Sequence, residues 1–345
     1  AGEIAFGCEN YGYSHEEIQN HVHRAAANIK IQDILDHSLH SLSYGMRQKV
    51  AIASAEAIDP EIYVMDEPSA NLDIASTYRF ADIIHDLKKK GKTIIIAEHR
   101  LYYLMDLTDR FLCVQKGKIV REFTAQQMKA LTNKEIQALG LRTPNLHQIE
   151  QTEIPSAATS EVVLEVKKLN HSFGETIVSK DIDFQCHKGE AIALIGPNGT
   201  GKSTIGRILA GLLKEKSGEV VLFGKHCRPK GRLGKVWYIP QDLDSQLFGE
   251  DLLDELTTGA EVNPERKQAA EEILEALELT PFIKQHPSTL SGGQKQRLAP
   301  GVALMHEAPL IVLAEPTSGL DGTNLRNVSR MCRTLAKLGR SIPAI

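Results

Sequence analysis

The run Gly196-Pro197-Asn198-Gly199-Thr200-Gly201-Lys202-Ser203-Thr204 fits the pattern GxxxxGK[ST], with a short apolar run before it and a helix-competent segment after it. Glycines at this spacing let backbone N–H groups turn inward around a chain of phosphates, and a helix N-terminus adds a favourable dipole. In that geometry Lys202 reaches the outer phosphates and Ser203 ligates Mg2+. Leu290-Ser291-Gly292-Gly293-Gln294 opens a further helix, and Leu42-Ser43-Tyr44-Gly45-Met46 is its degenerate twin. Either alone reads as a capped helix start. Each, however, stands about twenty residues before an apolar strand ending in Glu-Pro, so each reads as a second anion-gripping helix end. In the strand Ile62–Pro68, Asp66 is placed to hold Mg2+ and Glu67 to polarise an attacking water, as phosphoryl transfer requires. The later strand, Ile311 to Pro316, keeps the glutamate as Glu315 but has Ala314 in place of the aspartate.

These motifs recur because the chain contains a repeat. Ser41–Lys49 returns as Thr289–Arg297 at a displacement of 248, which also carries Glu67-Pro68-Ser69 onto Glu315-Pro316-Thr317 and Asp73 onto Asp321. Further upstream the displacement is 252. The second copy starts near Glu161, which places the expected start of the first roughly 91 residues before Ala1. Partners for Glu98 and His99 fall just past Ile345. The expected organisation is therefore 1–141 as the C-terminal part of a first domain, 142–160 as a polar, proline-bearing linker, and 161–345 as a second domain short of its extreme C-terminal part.

Strand and helix alternate within each copy. Ala191–Ile195 leads into a helix over Lys202–Leu213, and Glu61–Met65 and Pro309–Leu313 read as buried strands running into acidic loops. Asp73–Lys90 and Asp321–Leu338 are amphipathic, and Thr93–Ala97 reads as a parallel core strand. This predicts an α/β fold with parallel strands and its chemistry at their carboxyl ends. Two prolines strain the pattern. Pro300 falls inside the helix opened by Ser291, where proline costs about 3 kcal/mol, and Pro343 inside the strand matching Thr93–Ala97, where it removes a ladder hydrogen bond.

The 345 residues suggest two domains, and 42% hydrophobic with 24% charged residues is an ordinary globular balance. A net charge of −4 argues against bulk attraction to nucleic acid or anionic lipid. No apolar stretch approaches the roughly 20 residues of a membrane span, and the chain opens without a basic, apolar leader. The five scattered cysteines form no CxxC pair and read as buried thiols of a reduced, intracellular protein.

Phosphate loop, LSGGQ-type signature and aspartate–glutamate strand together resemble the ATP-binding cassette ATPases over nearly the whole chain. That resemblance implies P-loop cassettes with a mostly parallel sheet and a helical signature subdomain, in two tandem copies, with ATP and Mg2+ as cofactors. It matches Gln241 with the Q-loop glutamine that contacts Mg2+, His99 with the switch histidine, Phe173 with an adenine-stacking ring, and Asp73 and Asp321 with the D-loop aspartates. Gln241–Phe248, Glu3–Gly7 and Ala97–Leu101 with Asp109-Arg110 are similar to the duplicated ATPases of energy-coupling factor transporters. Such machines import vitamins or transition metals, which implies an ATPase on the cytoplasmic face of the membrane. It would be bound peripherally to multi-span subunits and a separate substrate-binding subunit, with no nucleic-acid partner. In the family two cassettes meet head to tail. One site would join Lys202 and Glu315 to the Ser43–Met46 signature. The other would join Asp66, Glu67 and His99 to Ser291–Gln294. Two alternatives are a soluble tandem cassette protein of the ribosome-associated type and a nucleotide-binding regulator that no longer hydrolyses.

Overall fold

A computed structural model describes residues 1–39, 42, 44–146, 159–259 and 263–345, with the side chain of Tyr44 excepted. The chain forms two compact units, Ala1–Ile149 and Glu150–Ile345. Residues 147–158 of the expected linker lie outside the described residues.

The first unit opens with three helices, α1 (Gly2–Asn10), α2 (His15–Ile29) and α3 (Tyr44–Ile58). Ser14 and Glu17 close a capping box over the start of α2, and Lys30 ends it in the left-handed region at φ 59°. Between those stops Val22, Ala25, Ala26 and Ile29 recur at helical spacing and are buried. Their small side chains let α2 pack closely against Ile4 and Cys8 of α1 and Ala53 and Ala57 of α3. Next come β1 (Ile62–Asp66), α4 (Ile74–Lys89) and β2 (Thr93–Ala97), the two strands pairing in parallel from Ile62↔Thr93 to Asp66↔Ala97. An antiparallel hairpin, β3 (Arg110–Gln115) and β4 (Lys118–Thr124), and two short helices, α5 (Ala125–Lys129) and α6 (Asn133–Ala138), complete the unit.

The second unit begins with long β5 (Val162–Phe173) and β6 (Thr176–His187), then β7 (Ala191–Ala193) and α7 (Lys202–Leu209). After β8 (Ser217–Leu222), β9 (Lys225–His226) and α8 (Pro229–Arg232) come β10 (Val236–Ile239), α9 (Leu252–Thr257) and α10 (Pro264–Ala276). Then follow α11 (Gly292–Met305), β11 (Leu310–Leu313), α12 (Gly322–Lys337) and β12 (Ile342–Ala344). A parallel sheet runs β10-β11-β12-β7, and an antiparallel one runs β6-β5-β8-β9. Leu310 to Leu313 are wholly buried in the parallel sheet. The α/β class with parallel strands is therefore present, with an antiparallel layer beside it that the strand–helix alternation did not announce.

Three local expectations shift. The strand before the phosphate loop, β7, stops at Ala193 rather than Ile195, and α7 ends at Leu209 rather than running to Leu213. Helix α11 continues through Pro300 to Met305 instead of breaking there. Burial of Leu298, Ala299, Val302 and Ala303 around the ring holds the helix together although the proline cannot donate to the Gln296 carbonyl. Pro343 sits in β12 and interrupts the β11 side of the ladder. Ile311 N donates to Ser341 O (2.9 Å) and Ile345 N to Leu313 O (2.8 Å), while Pro343 between them has no N–H to give.

Candidate functional site

The phosphate loop lies where its pattern predicts, between β7 and α7 at a carboxyl strand end. Gly196, Gly199 and Gly201 all take positive φ, the last at 88° as the N-cap of α7. A Cβ on Gly201 would stand 2.5 Å from Val178 Cγ1 and 2.7 Å from its carbonyl oxygen, so only glycine fits that turn. Lys202 Nζ donates to the carbonyls of Gly196 and Pro197, each at 2.9 Å, and Thr200 Oγ1 donates to Pro197 O. The ammonium is thus held along the loop. Asn198, Gly199, Thr200 and Ser203 are exposed, and the leading amides of α7, at Lys202, Ser203 and Thr204, have no intrahelical acceptor. Phe173 closes β5, is 55% exposed and meets His171 edge-on, which makes it a surface ring rather than core.

Ser291 and Gln294 form a capping box at the head of α11, Ser291 N donating to Gln294 Oε1 at 2.7 Å. Gly292 is open, whereas a Cβ on Gly293 would strike Asn324 of α12 at 2.4 Å. Gly45, at the matching place in α3, faces Leu72 and Ser76. Ser43 lies outside the described residues. Gln241 donates to Ser318 Oγ at 3.4 Å, a contact that sets this side chain against the residue three past Glu315. Asp321 accepts from Asn324 N and Asp73 from Ser76 N, so both aspartates cap the helices that follow them.

Glu67 and Glu315 share an unusual backbone. Each has a left-handed φ (42° and 48°), and each amide bonds the strand next door, Glu67 to Ala97 O and Glu315 to Ile345 O. His99 Nε2 lies 3.2 Å from Glu67 Oε1, both side chains half-exposed. Asp66 is exposed at the end of β1, an oxygen donor of the kind Mg2+ takes alongside phosphate oxygens and water. Ser203 is a second such donor, so the donor chemistry fits. Ala314 offers none. It is 5% exposed and, with Pro300 and Gln296, borders a cavity of about 20 Å3.

Sequence reasoning overlooked what steadies the loop that follows Glu67. Arg100 donates to the carbonyls of Ser69 (3.1 Å), Ala70 (3.0 Å) and Leu72 (2.8 Å), spanning the stretch between Glu67 and Asp73. Ser69 in turn donates to Glu98, whose carboxyl is pushed up by burial. The adjacency of Glu98 and Arg100 to His99 was the available signal.

The chain matches the family model described as ABC transporter over residues 6–70 and 179–318. It belongs to the ABC transporter ATP-binding family. One relative, from Treponema denticola and provisionally named an ABC transporter ATP-binding protein, is 38% identical over 94% of this chain and 67% of its own length. Another, Bacillus subtilis YkoD, provisionally named for HMP/thiamine import, is 29% identical over 99% of the chain and 67% of its own. The chain thus spans about two thirds of these relatives. Among solved structures, cbiO1 of Clostridium perfringens, part of the transporter complex cbiONQ, superposes with TM-score 0.50 at 27% identity, covering 53% of this chain and 78% of that one. Archaeal ABCE1, in a ribosome-bound model with Pelota, gives TM-score 0.70 at 24% identity over 99% of this chain and 56% of its own, a likeness of fold. As an ABC ATP-binding protein, the chain carries the cassette fold.

Proposed function

We propose that this chain is the larger part of a tandem ATPase subunit that powers import of a micronutrient, a vitamin or metal ion, through multi-span membrane subunits. The carrying observation is the Glu67–His99 pair, set 3.2 Å apart beyond two neighbouring parallel strands. Glu67 orients the attacking water and His99 holds that carboxylate while contacting the outer phosphate. Lys202 leaves the Gly196 and Pro197 carbonyls for nucleotide oxygens, and the amides of α7 grip the same chain of phosphates. Asp66 in one copy, and Ser203 with Gln241 in the other, would hold Mg2+, which supplies charge neutralisation on the phosphates.

The two halves of the chain divide the labour. Lys202 and its loop bind nucleotide in the second unit, where Ala314 leaves the strand end without its metal carboxylate. Glu67 and His99 support hydrolysis in the first. Import is supported by YkoD and cbiO1, whose names tie them to thiamine uptake and a transporter complex. Among the described residues no helix is long and apolar enough to cross a membrane, so membrane attachment would run through partner subunits, with the segment after Gln241 as their contact. The test is affinity capture of the full-length protein from detergent-solubilised membranes, with ATPase assay of the eluate. Multi-span subunits and turnover abolished by Glu67→Gln are expected. Capture without any multi-span protein would overturn the import reading, and turnover indifferent to Glu67→Gln would overturn the catalytic one.

A further inference from the structure

The stretch from Leu212 to Lys235 carries seven Lys or Arg against two acids, Glu215 and Glu219, in a chain whose net charge is −4. Buried Arg232 engages one of those acids. It holds Glu215 through two bonds, of 2.9 Å and 2.7 Å, and donates to the carbonyls of Ile208 and Cys227. The end of α7, the chain after β9 and α8 are thereby gathered around one guanidinium. Gly211 tightens the same junction, since a Cβ there would stand 2.2 Å from Pro229 O.

What this junction leaves on the outside is basic. Lys214, Lys216, Lys225, Arg228, Lys230 and Lys235 are all exposed, and Glu219 is the one acid of the stretch left to offset them. Among the described residues none of the six is in an ion pair. Gathering like charges in this way raises the energy of the free protein, and an anionic partner would relieve it. Salt confines the field of exposed charges to about 10 Å, so this patch rather than the net charge decides what is drawn to it.

The side chains themselves select the partner. All of the six but Arg228 are lysines, whose compact, flexible ammonium suits headgroups that move, whereas a fixed phosphate is better gripped by the arginine fork. Leu212 and Leu233 are 58% and 53% exposed. They directly follow Gly211 and Arg232, which meet at the junction, a Cβ on Gly211 falling 3.2 Å from Arg232 Cβ. Apolar side chains set among cations suit the boundary between headgroups and acyl chains. Phe223 is the one Phe, Tyr or Trp of the stretch, too few rings for a row of stacked bases.

We propose that this face lies on a bilayer containing anionic lipid, its cations among the headgroups and Leu212 and Leu233 beneath them. The contact is made by this chain itself, in addition to attachment through membrane subunits, and it uses neither Glu67 nor the phosphate loop.

The test sediments this chain, carrying Lys202→Ala to silence the phosphate loop, with protein-free vesicles. Phosphatidylcholine alone should leave it in solution. An equimolar mixture with phosphatidylglycerol should carry it down, and less of it as salt rises. Lys225→Gln with Lys230→Gln should weaken that binding about thirtyfold, the loss of two cations from an anionic surface. Lys118→Gln with Lys134→Gln, an equal change of net charge in the other unit, should leave it unaltered. Leu233→Ser should weaken binding while keeping its salt dependence. All five positions are exposed, and an unchanged melting temperature verifies folding. No binding to the mixed vesicles, or equal loss from both lysine pairs, would overturn the patch. Polyglutamate or polyuridylate bound as tightly as the vesicles, with Leu233→Ser silent, would overturn the bilayer as its partner.

Discussion

His99 Nε2 stands 3.2 Å from Glu67 Oε1, each just past the end of its own strand, and the parallel register Asp66↔Ala97 fixes that approach. The pair is a consequence of adjacent strands, and Arg100 stiffens the loop beside it through three carbonyls.

In the full-length protein, Glu67→Gln should lower kcat by about a hundredfold or more, the lower range for loss of a general base, while nucleotide binding persists. His99→Ala should lower kcat as well. Steady-state phosphate release alongside equilibrium binding of a fluorescent nucleotide separates the two effects. A kcat unchanged by either substitution would remove the pair from catalysis.

Lys202→Ala should weaken nucleotide binding to this chain by roughly ten- to a hundredfold, the loss of a charge-assisted hydrogen bond to phosphate. Ala314→Asp adds a buried carboxylate and should lower the melting temperature of the second unit. Differential scanning fluorimetry with and without nucleotide reads both.

Pro343→Val should raise stability by about 1 kcal/mol, because it returns an N–H to the β11 ladder with a β-branched side chain suited to a strand. The check is the urea midpoint at constant slope. A lower midpoint would mean that the buried site around Pro343 has no room for the larger side chain.

Glu56 is buried in the first unit and takes hydrogen bonds from Tyr63 (2.5 Å), Lys90 (2.9 Å) and Asn28 (2.8 Å). Burial alone raises its carboxyl, but the Tyr63, Lys90 and Asn28 bonds outweigh it and hold the group below its ordinary value. A lowered folded-state value means the stabilisation is complete above the ordinary carboxylate value and is lost as pH falls from there through the lowered folded-state value. Glu56→Gln should therefore flatten the acid limb of a stability-versus-pH curve, measured from about pH 6 downward.

Much of this was legible because the motifs are local. Strand Thr93–Ala97 forms where it was read and pairs in parallel with β1, but neither it nor Glu61–Met65 is the buried strand expected, since Ile62, Val64 and Ile95 are exposed; the loop over 196–204 needs only its glycines and the helix after it. The Glu67 φ, the Arg100 clamp and the β5–β8 pairing were not legible, because each depends on neighbours distant in sequence, and the hairpins β5–β6 and β8–β9 join one sheet only through that pairing. Pro300 was legible as a strain, yet packing around it outweighed helix propensity.

Ile62 and Val64 of β1 are 57% and 75% exposed, whereas Leu310 and Val312 at the same places in β11 are fully buried. Heat should therefore distinguish the two halves of the chain. The first, with one face of its strand pair open to water, has less apolar burial resisting unfolding and should melt at the lower temperature. Nucleotide, by mass action, should lift only the upper transition. In a melt of this chain the Lys202 half should therefore outlast the Glu67 half.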